Sequence, residues 1–157
     1  MPKVTPWLWF DTESEAAAEL YTSVFPNSRI LEVSRYGSAG PREEGLAMVV
    51  TFELDGQQVS ALNGGPDFKH SEAFSFKVDC EDQDDVDYYW EQLGDGGEHG
   101  PCGWLKDRFG LSWQIVPKRL EELMTDPDRE KAQRVMAAML QMGKIDVAEL
   151  ERAASSE

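Results

Sequence analysis

Residues 104–117 read WLKDRFGLSWQIVP. Two short apolar runs flank Asp107-Arg108-Phe109-Gly110, a composition that suits a tight turn, and the second run stops at Pro117. Because side chains alternate across a strand, Leu111, Trp113 and Ile115 share one face of that run, and Ser112, Gln114 and Val116 the other. The stretch is a β-hairpin, and it sets the uncharged polar Gln114 in the middle of an otherwise apolar strand. Three readings of Gln114 stand together: a group lining a ligand pocket, the remnant of a metal site, or ordinary surface.

The residues before the hairpin complete one cycle of elements. AFSFKVD (73–79) reads as a strand, and the acidic run CEDQDD opens a helix, since negative side chains favour the positive end of the helix dipole. Val86, Tyr89, Trp90 and Leu93 then recur at i, i+3, i+4 and i+7, and the turn-rich GDGGEHGPCG (94–103) brackets at most a short strand. The same order occurs earlier in the chain. KVTPWLWF (3–10) is strand-like, Thr12-Glu13-Ser14-Glu15 matches a capping box, and Ala16, Ala17, Leu20, Tyr21 and Val24 form a helical face that Phe25-Pro26-Asn27 ends. A strand at 29–36, a loop at 37–45, and strands at 46–54 and 57–62 joined by Asp55-Gly56 follow. Asp11 and Asp79, and likewise Tyr21 and Tyr89, lie 68 positions apart. Strand, helix and three strands, written twice, is an α+β organisation with helices layered on curved sheet.

After Pro117 the texture turns helical, in KRLEELM, DPDREKAQRVMAAMLQM and IDVAELERA. Asp126-Pro127 suits a helix start, with Asp capping and Pro in the first turn, and Gly143 suits its end. Val135, Met136, Met139 and Leu140 make an apolar stripe whose expected role is core or subunit packing.

The 157 residues suffice for one domain with a sizeable core. The net charge is −15, and residues 1–116 carry 8 basic and 21 acidic side chains, a field that repels phosphate backbones; no nucleic-acid partner is expected. No apolar run approaches the roughly 20 residues of a spanning helix, and no basic-then-apolar leader opens the chain, so no membrane partner and a cytoplasmic location are expected. Two cysteines, Cys80 and Cys102, make no disulfide framework.

TPWLWFD, LYTSVFPNSRI, FELDGQQVSALNGGP, AFSFKVDCEDQDDVDYYW and CGWLKDRFGLSWQIVP, in this order, resemble one group. It is the PhnB-like branch of the vicinal oxygen chelate superfamily, which includes glyoxalases, bleomycin-resistance proteins and extradiol dioxygenases. Members are often labelled 3-demethylubiquinone 3-methyltransferase-like. The likeness spans about residues 3–124, and AQRVMAAMLQMGKIDVAELERA is similar to the extension of many members. The resemblance implies a glyoxalase/dihydroxybiphenyl dioxygenase-like fold, in which two βαβββ modules form an eight-stranded cup-shaped sheet, often completed between two subunits of a homodimer. On this chain it implies a domain at 1–124, with modules near 3–64 and 73–117, and a helical extension at 125–157.

Metal-dependent members place His or Glu ligands on inward strand positions. Those positions fall near Thr5, within 60–63, near Ala73, and on Gln114. None is a His, Asp, Glu or Cys, whereas a divalent site needs three or four such donors, so no metal ligand and no cofactor are expected and a divalent ion is disfavoured. By parity with Thr5, Trp7 and Trp9 face inward; with Asn63, Ser75, Trp104 and Gln114 they are the expected cup lining, suited to a small, partly apolar ligand. The bland readings are packing for the tryptophans and a turn role for Asn63 in LNGGP. His99 and Cys102 across Gly100-Pro101 form a poor nucleophile–base pair, and His70 reads as a loop residue.

The expected function is small-molecule binding, or metal-independent catalysis, by a glyoxalase/bleomycin-resistance-type homodimer. Its rivals are a divalent-metal lyase or dioxygenase and a ligand-free structural or regulatory dimer. Methyl transfer is disfavoured, because GDGGEHG follows a helix instead of joining a strand to one.

Overall fold

Both cycles fold as strand, helix and three strands in the computed structural model, which describes residues 3–156. Two compact units are formed, Met1–His70 and Ser71–Glu157.

In the first unit, β1 (Trp7–Phe10), α1 (Ser14–Val24), β2 (Arg29–Arg35), β3 (Ala47–Leu54) and β4 (Gln57–Asn63) give a sheet in the order β1-β4-β3-β2. β1 runs parallel to β4, and the other pairs are antiparallel. The Asp55-Gly56 hairpin forms as expected, with φ of 49° and 82° at its two central residues, the pair of positive values a type I′ turn requires. Leu8, Phe10, Val50, Phe52, Val59 and Ala61 bury one face of the sheet together with Ala17, Ala18, Tyr21 and Val24 of α1. The helical face is therefore rotated from the expected one: Ala16 is exposed and Leu20 half-buried, while Ser14 and Ala18 are buried.

The expected capping box does not form. α1 begins at Ser14, and Glu13 at its N-cap makes no side-chain cap. The acceptor comes from the sheet instead, because the Ser14 N–H donates to Asn63 Oδ1 at 2.9 Å. A side chain fixed on a strand meets the free helix donor without the local entropy cost of ordering a terminal turn.

The second unit repeats the pattern with β5 (Ser75–Cys80), α2 (Gln83–Gly94), β6 (Glu98–His99), β7 (Trp104–Lys106) and β8 (Ser112–Pro117), in the order β5-β8-β7-β6. Asp82 caps α2 by accepting from the Asp85 N–H. Val78, Leu105, Trp113 and Ile115 are buried, as are Val86, Trp90 and Leu93 of α2, which packs on β7 and β8. Tyr89, the counterpart of buried Tyr21 by spacing, is only half-buried.

Three helices follow: α3 (Lys118–Met124), α4 (Arg129–Met139) and α5 (Val147–Ser155). The cap of α4 is Asp128, which accepts from the Lys131 N–H. Asp126, expected in that role, instead accepts from the Asp128 N–H in the preceding turn. Val116, Leu120, Leu123, Val135, Ile145, Leu150 and Ala154 form a continuous buried cluster, with Met124, Met139 and Met142 against it. The Met stripe thus serves packing in part, whereas Leu140 is exposed. Among the described residues no helix is long and apolar enough to cross a membrane.

Candidate ligand site

Strand register sorts the expected site residues by face. In the first sheet Trp7 pairs with Ser60, Trp9 with Leu62, and Phe10 with Asn63. Asn63 therefore shares the α1 face with Phe10, opposite to Trp7 and Trp9. Its placement with the tryptophans is corrected by one residue of parity. The side chain is fully buried and engaged with the backbone: Oδ1 accepts from Ser14, and Nδ2 donates to Ala47 O at 2.9 Å. Asn63 has no positive φ either, so the turn reading fails as well.

Trp7 is 57% exposed. Trp9 is held by the loop after β4: its indole N–H donates to Gly65 O at 2.9 Å, and Phe68 meets its ring edge-on at 4.9 Å. The ring lies so close to Gly64 that an added Cβ would stand 2.4 Å from it, which only glycine avoids.

In the second sheet Ser75, Gln114, Trp104, Ser112 and Lys106 share the face away from α2. Gln114 pairs with Lys77 on one side and Trp104 on the other, and Ser112 pairs with Ser75 and Lys106. Gln114 is half-buried, and its Nε2 donates to Ser75 Oγ at 2.9 Å. The structure thus brings Ser75, Trp104 and Gln114 together on one surface. Beside them lies a pocket of about 230 Å³, lined by Trp104, Lys106, Ser112, Glu72, Glu98 and the turn at Gly100-Pro101. Ser112 is 1% exposed, and its Oγ has no hydrogen-bond partner among the described residues. Lys106 Nζ lies 2.5 Å from Glu72 Oε1. The hydrogen bond and charge of Lys106 hold the Glu72 carboxyl below its usual range, and the same contacts raise Lys106.

Sequence reasoning missed Ser112, Lys106, Glu98 and Glu72. The alternation that singled out Gln114 also put Ser112 on its face, and the same parity applied to Trp104 would have found Lys106. Glu72 comes from a loop, where no periodicity points to it.

Of the cysteine and histidine candidates, only His99 borders this pocket, and its ring is engaged with α2. His99 stacks on Trp90 of α2 at 4.5 Å, with Nε2 3.2 Å from Trp90 O. Cys102 sits in a tight turn at φ 57°, its N–H donating to Met142 O. The buried Cys80 thiol is pushed up to about 12, first by desolvation and then by Asp85 and Asp79, which makes it a poor nucleophile at neutral pH. His70 lies against Phe10 at 5.0 Å.

The donors present do not fit a tightly held divalent ion. The Ser60 hydroxyl is 3.3 Å from Thr51 Oγ1, and the Gln114 amide is bonded to Ser75. Among the described residues no three His, Cys, Asp or Glu side chains gather in a set able to hold a metal.

Paired βαβββ modules with identical strand order define the glyoxalase-like, vicinal oxygen chelate class. Within it, the model of the family described as 3-demethylubiquinone-9 3-methyltransferase matches residues 2–116, and the chain belongs to that family. Among solved structures it is similar to a putative 3-demethylubiquinone-9 3-methyltransferase, PhnB protein, from Bacillus cereus. The two share 32% identity over 74% of this chain and 99% of the other, with a TM-score of 0.68. A Pseudomonas aeruginosa protein matches at 15% identity over 74% of this chain and 98% of its own, with a TM-score of 0.62. The fosfomycin resistance protein FosX from Listeria monocytogenes matches at 15% identity over 78% of this chain and 97% of its own, with a TM-score of 0.53. These two likenesses are of fold alone. No functionally curated protein matches the chain.

Proposed function

We propose that the chain binds a small organic molecule on the face of its second sheet that carries Ser75, Trp104 and Gln114, without a resident metal. The observation that carries this reading is the pocket of about 230 Å³ beside Gln114, whose wall is an indole and whose floor is an unpaired, buried serine hydroxyl. Aromatic walls with a few fixed polar groups suit small organic ligands, and a volume below the roughly 300–1,000 Å³ of drug-sized sites favours a compact one. By the resemblance, Gln114 falls where metal-dependent members keep a carboxylate, and a neutral amide bonded to Ser75 supports recognition by hydrogen bonds in place of coordination.

The family's methyltransferase name is weakly supported by this chain. The β1–α1 connection runs through Asp11, Thr12 and Glu13, and the β5–α2 connection through Glu81 and Asp82. Neither has the glycines that let a backbone approach a nucleotide-type cofactor. The same reading makes the chain a homodimer; exposed Val4, Trp7 and Phe68 in the first unit are apolar surface consistent with a partner.

The test is a metabolite screen by NMR on protein purified without chelator, following the Trp104 indole N–H. Binding that Gln114→Ala weakens about tenfold is expected, the size of one hydrogen bond to a half-buried amide. Stoichiometric zinc, iron, nickel or manganese in the purified protein would overturn the metal-free part of the reading.

A further inference from the structure

The pocket beside Gln114 has a charge pattern that narrows the class of its ligand. Glu98, Lys106 and Ser112 are successive register partners across β6, β7 and β8, so their side chains emerge on one rung and one face. Ser112 lines the pocket, 1% exposed and with no hydrogen-bond partner for its Oγ among the described residues. A buried hydroxyl left unpaired is costly, so the space above it calls for a group that bonds it.

The pocket also holds an unbalanced charge. Lys106 is satisfied by Glu72 at 2.5 Å. Glu98 adds to the field that raises Lys106, yet it forms no salt bridge of its own among the described residues. One ammonium therefore faces two carboxylates, and Trp104 presents an aromatic wall beside them. An anion entering here would have to take Lys106 from Glu72 and meet Glu98. A cation meets a carboxylate with no salt bridge among the described residues, beside an aromatic side chain.

We propose that this pocket takes a small organic ammonium that also bears a hydroxyl, its charge placed between Glu98 and the face of Trp104 and its hydroxyl on Ser112 Oγ. The assignment rests on the ligand-binding reading above and names the ligand class for the same face.

Three probes of one shape and different charge test it: 3-hydroxybenzylamine, 3-hydroxybenzyl alcohol and 3-hydroxybenzoate, titrated at neutral pH while the Trp104 indole N–H is followed by NMR. The Trp104 resonance is assigned by its loss in Trp104→Phe. The amine is expected to bind about tenfold tighter than the alcohol, and the carboxylate weakest. Glu98→Gln, a change at an exposed residue of an edge strand, should erase that preference by weakening the amine far more than the alcohol. Ser112→Ala should weaken the amine several-fold. Equal binding of amine and alcohol, or a preference that survives Glu98→Gln, overturns the ammonium assignment and leaves small-molecule binding standing. If the probes fail while a neutral or anionic compound from the screen moves Trp104, the assignment likewise falls. If nothing moves Trp104, both readings fall.

Discussion

Asp107 holds the second module's terminal hairpin together. The carboxylate is 2% exposed: Oδ1 accepts from the Phe109 and Leu111 N–H groups at 2.8 and 3.1 Å, and Oδ2 from the Trp113 indole at 2.9 Å. Three donors replace the water that a buried charge would otherwise lose. Asp107→Asn keeps the size but turns an NH₂ toward one of these donors; a loss of about 2–4 kcal/mol in urea unfolding is expected. A loss below about 0.5 kcal/mol would show the carboxylate to be incidental. Asn63 has the matching role in the first module, and Asn63→Ala leaves the Ser14 N–H and the Ala47 carbonyl unpaired in the core. About 2–4 kcal/mol is expected there too, and Asn63→Asp should be no milder, because a buried carboxylate oxygen would then face the Ala47 carbonyl. The hairpin turn at Asp107 was legible because its composition and both flanking alternations agree. The role of Asn63 was not: its face depends on where β4 starts, and one residue of register reverses it.

The elements themselves were legible and their ends less so. Periodicity located both helices of the repeat, and a helical texture the three C-terminal ones, but the start of α1 was misread because its acceptor arrives from β4, 49 residues away. Long-range bonds of this kind also tie the C-terminal helices to α2. Gln83 Nε2 donates to Ile145 O and to Asp87 Oδ1, and its Oε1 accepts from the Val147 N–H at 2.7 Å, at the first turn of α5. Gln83→Ala should cost about 1–3 kcal/mol and raise amide exchange first across 145–150. Three carboxyls here sit below their usual range: Asp87 through Lys144 and Gln83, Glu151 through Arg119, and Asp126 through the Asp128 N–H and Lys131. A lowered folded pKa gives stability that is full above the unfolded carboxyl range, near pH 4–4.5, and is lost as pH falls through the folded values. Amide protection relative to the intrinsic exchange rate should therefore fall first in α3–α5 below about pH 4, and an acid transition that begins in β5 or β8 instead would contradict this. At neutral pH each pair alone is weak: Lys144→Met should change stability by only about 0.5 kcal/mol, because both partners are more than a third exposed.

At the scale of the whole molecule, charge opposes compactness. Residues 1–70 carry 5 basic and 10 acidic side chains and residues 71–157 carry 10 and 20, so each unit repels itself. Two electrostatic effects then respond to salt with opposite signs. Screening weakens ion pairs such as Arg35–Glu15 and Arg108–Asp95, which stabilise, and it weakens the mutual repulsion of the excess acids, which destabilises. The magnitudes decide between them. Exposed pairs are worth about 0–1 kcal/mol each and are already damped by water, whereas an excess of 15 negative charges acts on every acid at once and reaches over about 10 Å at 0.1 M salt. Repulsion should win. Raising sodium chloride from about 10 mM to 300 mM, a change in screening length from roughly 30 Å to under 10 Å, is expected to raise the melting temperature by a few degrees. Potassium sulfate at matched ionic strength should add to this through its exclusion from the surface. A melting temperature that falls with sodium chloride would mean that the ion pairs, and not the excess charge, set the stability of this fold.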